Sequence, residues 1–317
     1  MAAAAAKLRA TARAIPVEAH KAHGRHQLRW LQGHVRWSSQ TTEVEHRIPK
    51  KDLARLMPPV LWRHKHGADA QATALVHALL PEAEQESMLS TAAELEVVES
   101  SHTAFVDRLV MDAVGRRIRQ IVFFGGGFDY RAYRLDVPPQ LKMVEVEEEL
   151  VHAAKEAILS ASGARARCRV ERLSLAWALL AKGGADAAPA ALKDAVDVRK
   201  PCLYVVERLV ARWESSSLAP FFSAVGETAC NGSRLVVQVS SIGLDTEVSV
   251  QEATLNLKAA LQESGWARVD VVGSQAMARV FPGAPAPADD VAVLVIAERG
   301  SAPVGPTPRD LHIEIRK

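Results

Sequence analysis

Residues 120–135, QIVFFGGGFDYRAYRL, join a short apolar run to a glycine turn, and this stretch decides the fold. The apolar run at 121–124 predicts a buried β-strand, and three glycines follow it directly. A strand that ends in a tight glycine turn lets backbone N–H groups approach a ligand where no side chain would fit. The dinucleotide fingerprint requires a third glycine three places after the second, where this chain has Tyr130. The pattern therefore argues against a nicotinamide or flavin cofactor.

Strand-like and helix-like segments alternate from residue 120 onward, which is typical of a parallel sheet with crossover helices. The predicted strands cover residues 121–124, 142–146, 168–173, 202–206, 234–239, 267–272 and 291–297. Helices are expected at 147–160, 218–228 and 249–264, and residues 40–118 read as mostly helical, with a helix at 103–114. The alanine-rich segment 185–191 reads as an inserted loop. The last two strands and their long connection fit a reversed β-hairpin at the edge of the sheet.

The glycine turn resembles the glycine motif of the leucine carboxyl methyltransferase family, whose members are S-adenosyl-L-methionine (SAM)-dependent enzymes. The matching residues are Gly125, Gly127, Asp129, Arg131, Tyr133, Arg134 and Leu135. The resemblance implies an α/β fold of the class I methyltransferase (Rossmann-like) type, with a mostly parallel seven-stranded sheet and a helical N-terminal cap. It implies SAM as the cofactor, a cap or lid at residues 38–118, a SAM-binding domain at 119–300 and a C-terminal tail at 301–317.

The ends of the predicted strands supply candidate contacts to the cofactor. The turn residues Gly125, Gly126 and Gly127 come first, and Glu147 ends the second strand, twenty residues after the turn. A carboxylate there can accept both ribose hydroxyls of a nucleoside. The acid-apolar-acid signature of the family at this place is matched by Glu145 and Glu147 around a valine. The alternative is a solvated acidic helix start that favours the helix dipole.

Two further acidic positions are open to more than one interpretation. The resemblance places Asp129 and Arg131 beside the methionine half of SAM, and an ion pair that stabilises the turn is the alternative. Glu207 ends the fourth strand and aligns with the acid that contacts the SAM amino group in the family. A lone acid after an apolar strand is costly without a partner, so a bound ammonium or the neighbouring Arg208 would have to supply one.

Three positions depart from the family pattern. His102 stands where the family has an arginine for the SAM carboxylate, and histidine lacks the two-pronged donor geometry of arginine. Arg172-Leu173 replaces the Asp-Leu pair used for adenine, and arginine cannot accept a hydrogen bond from the exocyclic amine; Leu173 remains a candidate contact. Arg212 replaces the tyrosine near the reacting methyl group. These changes raise the alternative of a non-catalytic binding or assembly module, for example on a mitochondrial ribonucleoprotein.

Composition bounds the remaining possibilities. A chain of 317 residues, 48% of them hydrophobic, can bury the core of one large α/β domain with an appendage. The formal net charge of +2 gives no global reason to expect nucleic acid or an anionic membrane. Three widely spaced cysteines without a CxxC pair support neither a disulfide framework nor a zinc site. No apolar run reaches the length needed to span a membrane.

The first 37 residues have the composition of an organelle transit peptide. They carry seven Lys or Arg against one acid and begin with five alanines after the methionine. This composition predicts a mitochondrial matrix presequence, with a plastid as the alternative destination. A basic arm, or a helix that covers the cofactor, would have the same composition.

Methyl transfer from SAM is an in-line displacement, for which proximity and alignment supply most of the acceleration. No nucleophile or metal is required from the protein, so the sequence identifies no catalytic residue. The expected reaction is O-methylation of a carboxylate or hydroxyl acceptor, and the acceptor itself is not assigned.

Overall fold

The structure is a computed structural model that describes residues 14–16, 48, 56–65, 69–80, 84–85, 93–175, 187–209, 215–240, 249–280 and 292–300. It contains two compact units: unit 1 is Met1–Glu96 with Gly126–Ala176, and unit 2 is Val97–Gly125 with Trp177–Lys317. The predicted tail at 301–317, Arg212, and the predicted presequence apart from 14–16 lie outside the described residues.

The strands and helices are numbered in chain order. The strands are β1 Ala14–Pro16, β2 Gln120–Phe124, β3 Lys142–Glu147, β4 Arg169–Ser174, β5 Leu203–Val206, β6 Arg234–Ser240, β7 Trp266–Gly273 and β8 Ala292–Arg299. The helices are α1 Pro58–Lys65, α2 Ala70–Leu79, α3 Ala93–Gly115, α4 Arg131–Arg134, α5 Glu149–Ala161, α6 Ala187–Ala195, α7 Ser215–Gly226, α8 Val250–Glu263 and α9 Ser274–Val280. Each strand predicted from residue 120 onward is present, with its ends shifted by at most two residues.

Unit 2 contains the strand order β2-β5-β6-β8-β7. The strands β2, β5 and β6 are parallel, while β8 pairs antiparallel to both β6 and β7. The predicted reversed hairpin is therefore present, with its last strand inserted between β6 and β7. The strands β2 and β5 are buried along their whole length, as expected for parallel strands covered on both faces.

Unit 1 contains the parallel pair β3 and β4, and β1 pairs antiparallel to the outer side of β4. The helices α1, α2 and α5 share one apolar cluster, which also includes Phe128 and Tyr130 from the segment after the glycine turn. The Asp69 side chain caps α2 and also accepts a hydrogen bond of 2.7 Å from the Tyr130 hydroxyl. The segment after the turn is thereby fixed to the helices of unit 1. The mixed sheets and helices of the two units confirm the predicted α/β fold class.

One local prediction was wrong, and one helix of the described residues was missed. The alanine-rich stretch 187–191 is not a loop but the first part of α6, since alanine has the highest helix propensity. The helix α9 was not predicted at all. The consecutive prolines Pro58 and Pro59 begin α1, where a missing N–H costs little.

Candidate functional site

The first glycine of the turn is required by its backbone and by its neighbours in unit 2. Gly125 has a φ of +70°, a conformation that L side chains rarely adopt. A Cβ atom there would lie 2.5 Å from Leu209 Cγ and 2.6 Å from the Glu207 carbonyl oxygen. The Glu207 N–H in turn donates to the Phe124 carbonyl at 3.0 Å, which continues the pairing of β2 with β5. The end of β2 and the end of β5 are therefore packed too closely for any residue but glycine.

The third glycine of the turn is bonded to a predicted site residue in unit 1. The Gly127 N–H donates to Glu147 Oε2 at 2.9 Å, and the Glu148 N–H donates to Glu147 Oε1 at 3.1 Å. Only 2% of Glu147 is exposed. The interpretation of Glu147 as a solvated acid at a helix start does not fit this burial, and Glu148 is the residue that occupies the N-cap of α5. Glu147 thus anchors the glycine turn to the carboxyl end of β3.

The predicted ion pair within the turn is present. Asp129 Oδ1 accepts the backbone N–H of Arg131 at 2.6 Å, and Asp129 Oδ2 lies 2.6 Å from Arg131 Nη1. The Asp129 N–H donates to the Gly126 carbonyl at 2.9 Å, which closes the turn. Arg131 is buried, so this pair stabilises the segment that leads into α4. A contact of either side chain with a methionine group remains a prediction.

Glu207 and His102 are brought together in unit 2. Both side chains are buried, and His102 Nε2 lies 3.3 Å from Glu207 Oε1. The residue after the acid, Arg208, has a φ of +58°, which is unusual for a side chain of this size. The histidine that replaces the family arginine is therefore a partner of the acid that follows β5. Sequence reasoning named both positions but did not predict that they touch.

Glu145 belongs to a buried charge network in unit 1. Its Oε2 lies 2.9 Å from Lys155 Nζ and 3.2 Å from Arg172 Nε. Arg172 also pairs with Glu156 at 3.1 Å and donates to the Tyr133 hydroxyl at 2.8 Å. Burial alone would raise the pKa of Glu145, but the two cations outweigh burial and lower it. Arg172 is 2% exposed and ion-paired, so it is not the solvent-facing arginine that a phosphate-binding role would need.

Two further groups of unit 1 near this network have pKa values shifted by burial. The Leu173 carbonyl accepts His152 Nε2 at 3.1 Å, and burial lowers the pKa of His152 despite the neighbouring Glu145. Burial, with the carboxylate of Glu145, raises the pKa of the Cys168 thiol to about 12. Within the described ranges no group of three or more His, Cys, Asp or Glu side chains could hold a metal ion. In the same part of the chain, no helix combines the length and apolarity needed to cross a membrane.

Comparison with known proteins shows which family the chain resembles. The sequence profile described as "Leucine carboxyl methyltransferase" matches residues 57–210. A provisionally assigned SAM-dependent methyltransferase of Mycobacteroides abscessus is 30% identical over 187 residues, which are 59% of this chain and 59% of the relative. A second such protein, from Rhodococcus jostii, is 32% identical over 148 residues, 46% of this chain and 48% of the relative. The chain therefore spans less than two thirds of the length of either relative.

Similar folds occur among solved structures. A protein from Thermobifida fusca, described as a methyltransferase without an assigned reaction, is 14% identical over 80% of this chain and 98% of its own, with a TM-score of 0.48. The strand order of unit 2, the parallel strands of unit 1 and the glycine turn between them in sequence define a class I methyltransferase fold. The profile match and the curated relatives show that the chain is similar to the leucine carboxyl methyltransferase family and to SAM-dependent methyltransferases.

Proposed function

We propose that the chain binds SAM and transfers its methyl group to an oxygen atom of an acceptor. The observation that carries the proposal is the 2.9 Å hydrogen bond from Gly127 N–H to the buried carboxylate of Glu147. This bond joins the two sequence features most specific to the family, the glycine turn and the acid that ends β3. The curated relatives, whose names assign them to SAM-dependent methyltransferases, support the same activity.

The buried carboxylates fit the chemistry of SAM. An ionised carboxylate has about four lone-pair sites, so Glu147, which accepts the N–H groups of Gly127 and Glu148, is a chemically suitable partner for a ribose hydroxyl. Glu207, buried at the end of β5, would place a negative charge for the ammonium of the methionine part. SAM would supply a methyl group on a sulfonium, which needs no activation by a metal.

Arg172 leaves the adenine without a side-chain acceptor at the place where the family has an aspartate. Its guanidinium is engaged by Glu145, Glu156 and Tyr133. The adenine would be held instead by apolar contacts, such as Leu173, and by the backbone. The same bonds remove one of the observations behind the alternative of a ribonucleoprotein-binding module, because Arg172 has no exposed face to offer to phosphate.

Calorimetric titration of SAM and S-adenosylhomocysteine into the full chain tests the proposal, with Glu147→Gln as the test variant. We expect micromolar binding to the wild type and a tenfold to hundredfold loss in the variant, since a charge-assisted hydrogen bond contributes roughly 1.5–3 kcal/mol. Glu149→Gln is the matched control: it makes the same change two residues away on an exposed side chain, and it should leave affinity unchanged. No binding of either compound at millimolar concentration would overturn the proposal and favour the non-catalytic module.

We also propose that residues 1–37 direct the chain to the mitochondrial matrix. The basis is the excess of arginine and lysine over acid in this segment. A full-length chain with a C-terminal fluorescent tag should colocalise with a matrix marker. Replacing Arg25 and Arg29 with glutamate should leave the tag in the cytosol, whereas replacing Lys193 and Lys200, far along the chain, should not. Fluorescence in plastids, or unchanged import of the variant with Arg25 and Arg29 replaced, would contradict the proposed mitochondrial destination.

A further inference from the structure

Unit 2 contains a concentration of buried polar atoms without partners. Within the described residues of this unit, His102 Nδ1, Thr103 Oγ1 and both amide atoms of Gln238 are buried and have no hydrogen-bond partner. His102 is fully buried, Thr103 is 1% exposed and Gln238 is 2% exposed. More than nine in ten buried polar groups in proteins are paired, so three such side chains in one unit require an explanation.

The strand register places Gln238 next to Glu207. Val206 of β5 pairs with Val237 of β6 in a parallel ladder. Extending this register by one residue beyond the end of β5 brings Glu207 opposite Gln238, and residues opposite each other on neighbouring strands point to the same face of a sheet. The unpartnered amide therefore lies beside the acid that holds His102.

Two contacts show which face this is. Arg234 lies four residues before Gln238 on β6, hence on the same face, and its Nη1 contacts Asp112 of α3 at 3.1 Å. Glu207 contacts His102 of the same helix at 3.3 Å. Both Glu207 and Gln238 thus face α3, the helix that carries His102 and Thr103. His102, Glu207 and Gln238 therefore lie together on this face, and the unpartnered His102 Nδ1 and Gln238 amide belong to this polar cluster.

The pairing of His102 with Glu207 fixes the chemistry of the imidazole. An ionised carboxylate can only accept hydrogen bonds, so with Glu207 ionised this contact requires the proton of His102 on Nε2. In a neutral imidazole the lone pair is then on Nδ1, the atom without a partner. A carboxylate that orients a histidine and leaves its second nitrogen free is the arrangement by which proteins prepare a general base.

We propose that His102, oriented by Glu207, is the general base for an acceptor hydroxyl, and that the Gln238 amide binds the same acceptor. This inference rests on the proposed methyl transfer. The acceptor oxygen gives its proton to His102 Nδ1 and uses the freed electron pair to form the bond to the methyl carbon. The carbon–sulfur bond breaks, its electrons remain on sulfur, and a thioether leaves. Glu207 stabilises the imidazolium, which later releases its proton to water.

The cluster favours a hydroxyl over a carboxylate as the acceptor. A carboxylic acid is already ionised at neutral pH, so it has no proton that a base must remove. A phenol or alcohol is protonated at neutral pH, gains from a base and can exchange hydrogen bonds with both atoms of the Gln238 amide.

¹⁵N NMR of the full chain, labelled with ¹⁵N-histidine, shows which ring nitrogen of His102 carries the proton. This measurement does not require the enzyme to turn over. His102→Gln assigns the signal, with thermal unfolding to show that the variant is folded. We expect His102 to carry its proton on Nε2 with Nδ1 unprotonated at pH 8, and Glu207→Gln to shift the population towards the Nδ1–H form. An Nδ1–H tautomer or an imidazolium in the wild type at pH 8 would overturn the proposal.

Binding of small probes tests the acceptor class in the same sample. With S-adenosylhomocysteine present, phenol at millimolar concentration should move the His102 Nδ1 resonance, and benzoate should not. Gln238→Leu should weaken the phenol response at least threefold, and the signal of His77, exposed on α2, should not move in any sample. A shift with benzoate, or none with phenol, refutes the inference. Failure of the proposed function is distinguishable, because it would appear as the absence of S-adenosylhomocysteine binding by calorimetry.

Discussion

Replacing Glu145 with glutamine should lower the free energy of unfolding by about 3–5 kcal/mol, the usual cost of removing one partner from a buried ion pair. The glutamine would leave Lys155 and Arg172 buried with one carboxylate fewer between them, because Glu145 Oε2 contacts both cations at 2.9 and 3.2 Å. Glutamine has nearly the same volume, so the loss would report charge and not packing. Denaturant unfolding followed by circular dichroism measures the difference.

Glu171→Gln is the control for this experiment. Glu171 lies on β4 and pairs with Lys142 of β3 at 2.7 Å, but both side chains are partly exposed. A pair in contact with water typically contributes less than about 1 kcal/mol, so this variant should be nearly as stable as the wild type. Equal losses for the two variants would show that the Glu145 network does not act as a buried charge cluster.

The loss of stability in Glu145→Gln should depend on pH, and this dependence follows from the pKa of Glu145. Burial raises this pKa, but Lys155 and Arg172 outweigh burial, so the folded-state pKa lies below the ordinary carboxyl value. The carboxylate therefore stabilises the fold above about pH 4.3, the ordinary pKa of glutamate, and this contribution is lost as the pH falls through the folded-state pKa. The difference in the free energy of unfolding between the wild type and Glu145→Gln should be constant from about pH 5 to 8 and should become smaller below about pH 4.

The strands were predictable because each is a short apolar run bounded by turn residues. Residues 121–124 and 202–206 are buried along their length. A short, continuous apolar run without polar alternation fits a parallel strand that is covered on both faces. The alanine-rich stretch that became α6 was mispredicted because composition was read as a loop signal against a strong helix propensity. Local sequence therefore determined most elements, and it failed where two local signals competed.

The contacts of the candidate site were less predictable. Arg172 was interpreted as a lost adenine contact, yet it is the register partner of Glu145 on the neighbouring strand. Aligning the two predicted strands in parallel could have revealed that pair. The contact between His102 and Glu207 joins residues 105 positions apart on a helix and a strand end, and no spacing rule in the sequence predicts it. Non-local side-chain pairs depend on packing, which a single sequence does not display.

Gly125→Ala should lower the free energy of unfolding by roughly 2–5 kcal/mol, the sum of a left-handed backbone penalty and overpacking. At a φ of +70° an L residue is strained, and the new Cβ would lie 2.5 Å from Leu209 Cγ and 2.6 Å from the Glu207 carbonyl oxygen. Leu209 could move, but a carbonyl of the backbone that continues β5 could do so only by disturbing the β2–β5 pairing. We therefore expect a shift in the position of Glu207 as well as a lower melting temperature.

Gly163→Ala separates the two contributions to that loss. Gly163 has nearly the same φ, +73°, but a Cβ there would meet nothing within 4 Å. We therefore expect Gly163→Ala to lower the free energy of unfolding only by the backbone penalty of about 1–2 kcal/mol. The difference between the two variants in denaturant unfolding isolates the steric overlap at the turn. If Gly125→Ala lowers the free energy of unfolding by no more than Gly163→Ala does, β2 and β5 do not approach each other closely at the glycine turn. A larger cost, accompanied by a changed His102 signal in ¹⁵N-histidine spectra, would tie the turn directly to the geometry of the His102–Glu207 pair, because Glu207 is the residue that the new methyl group would displace.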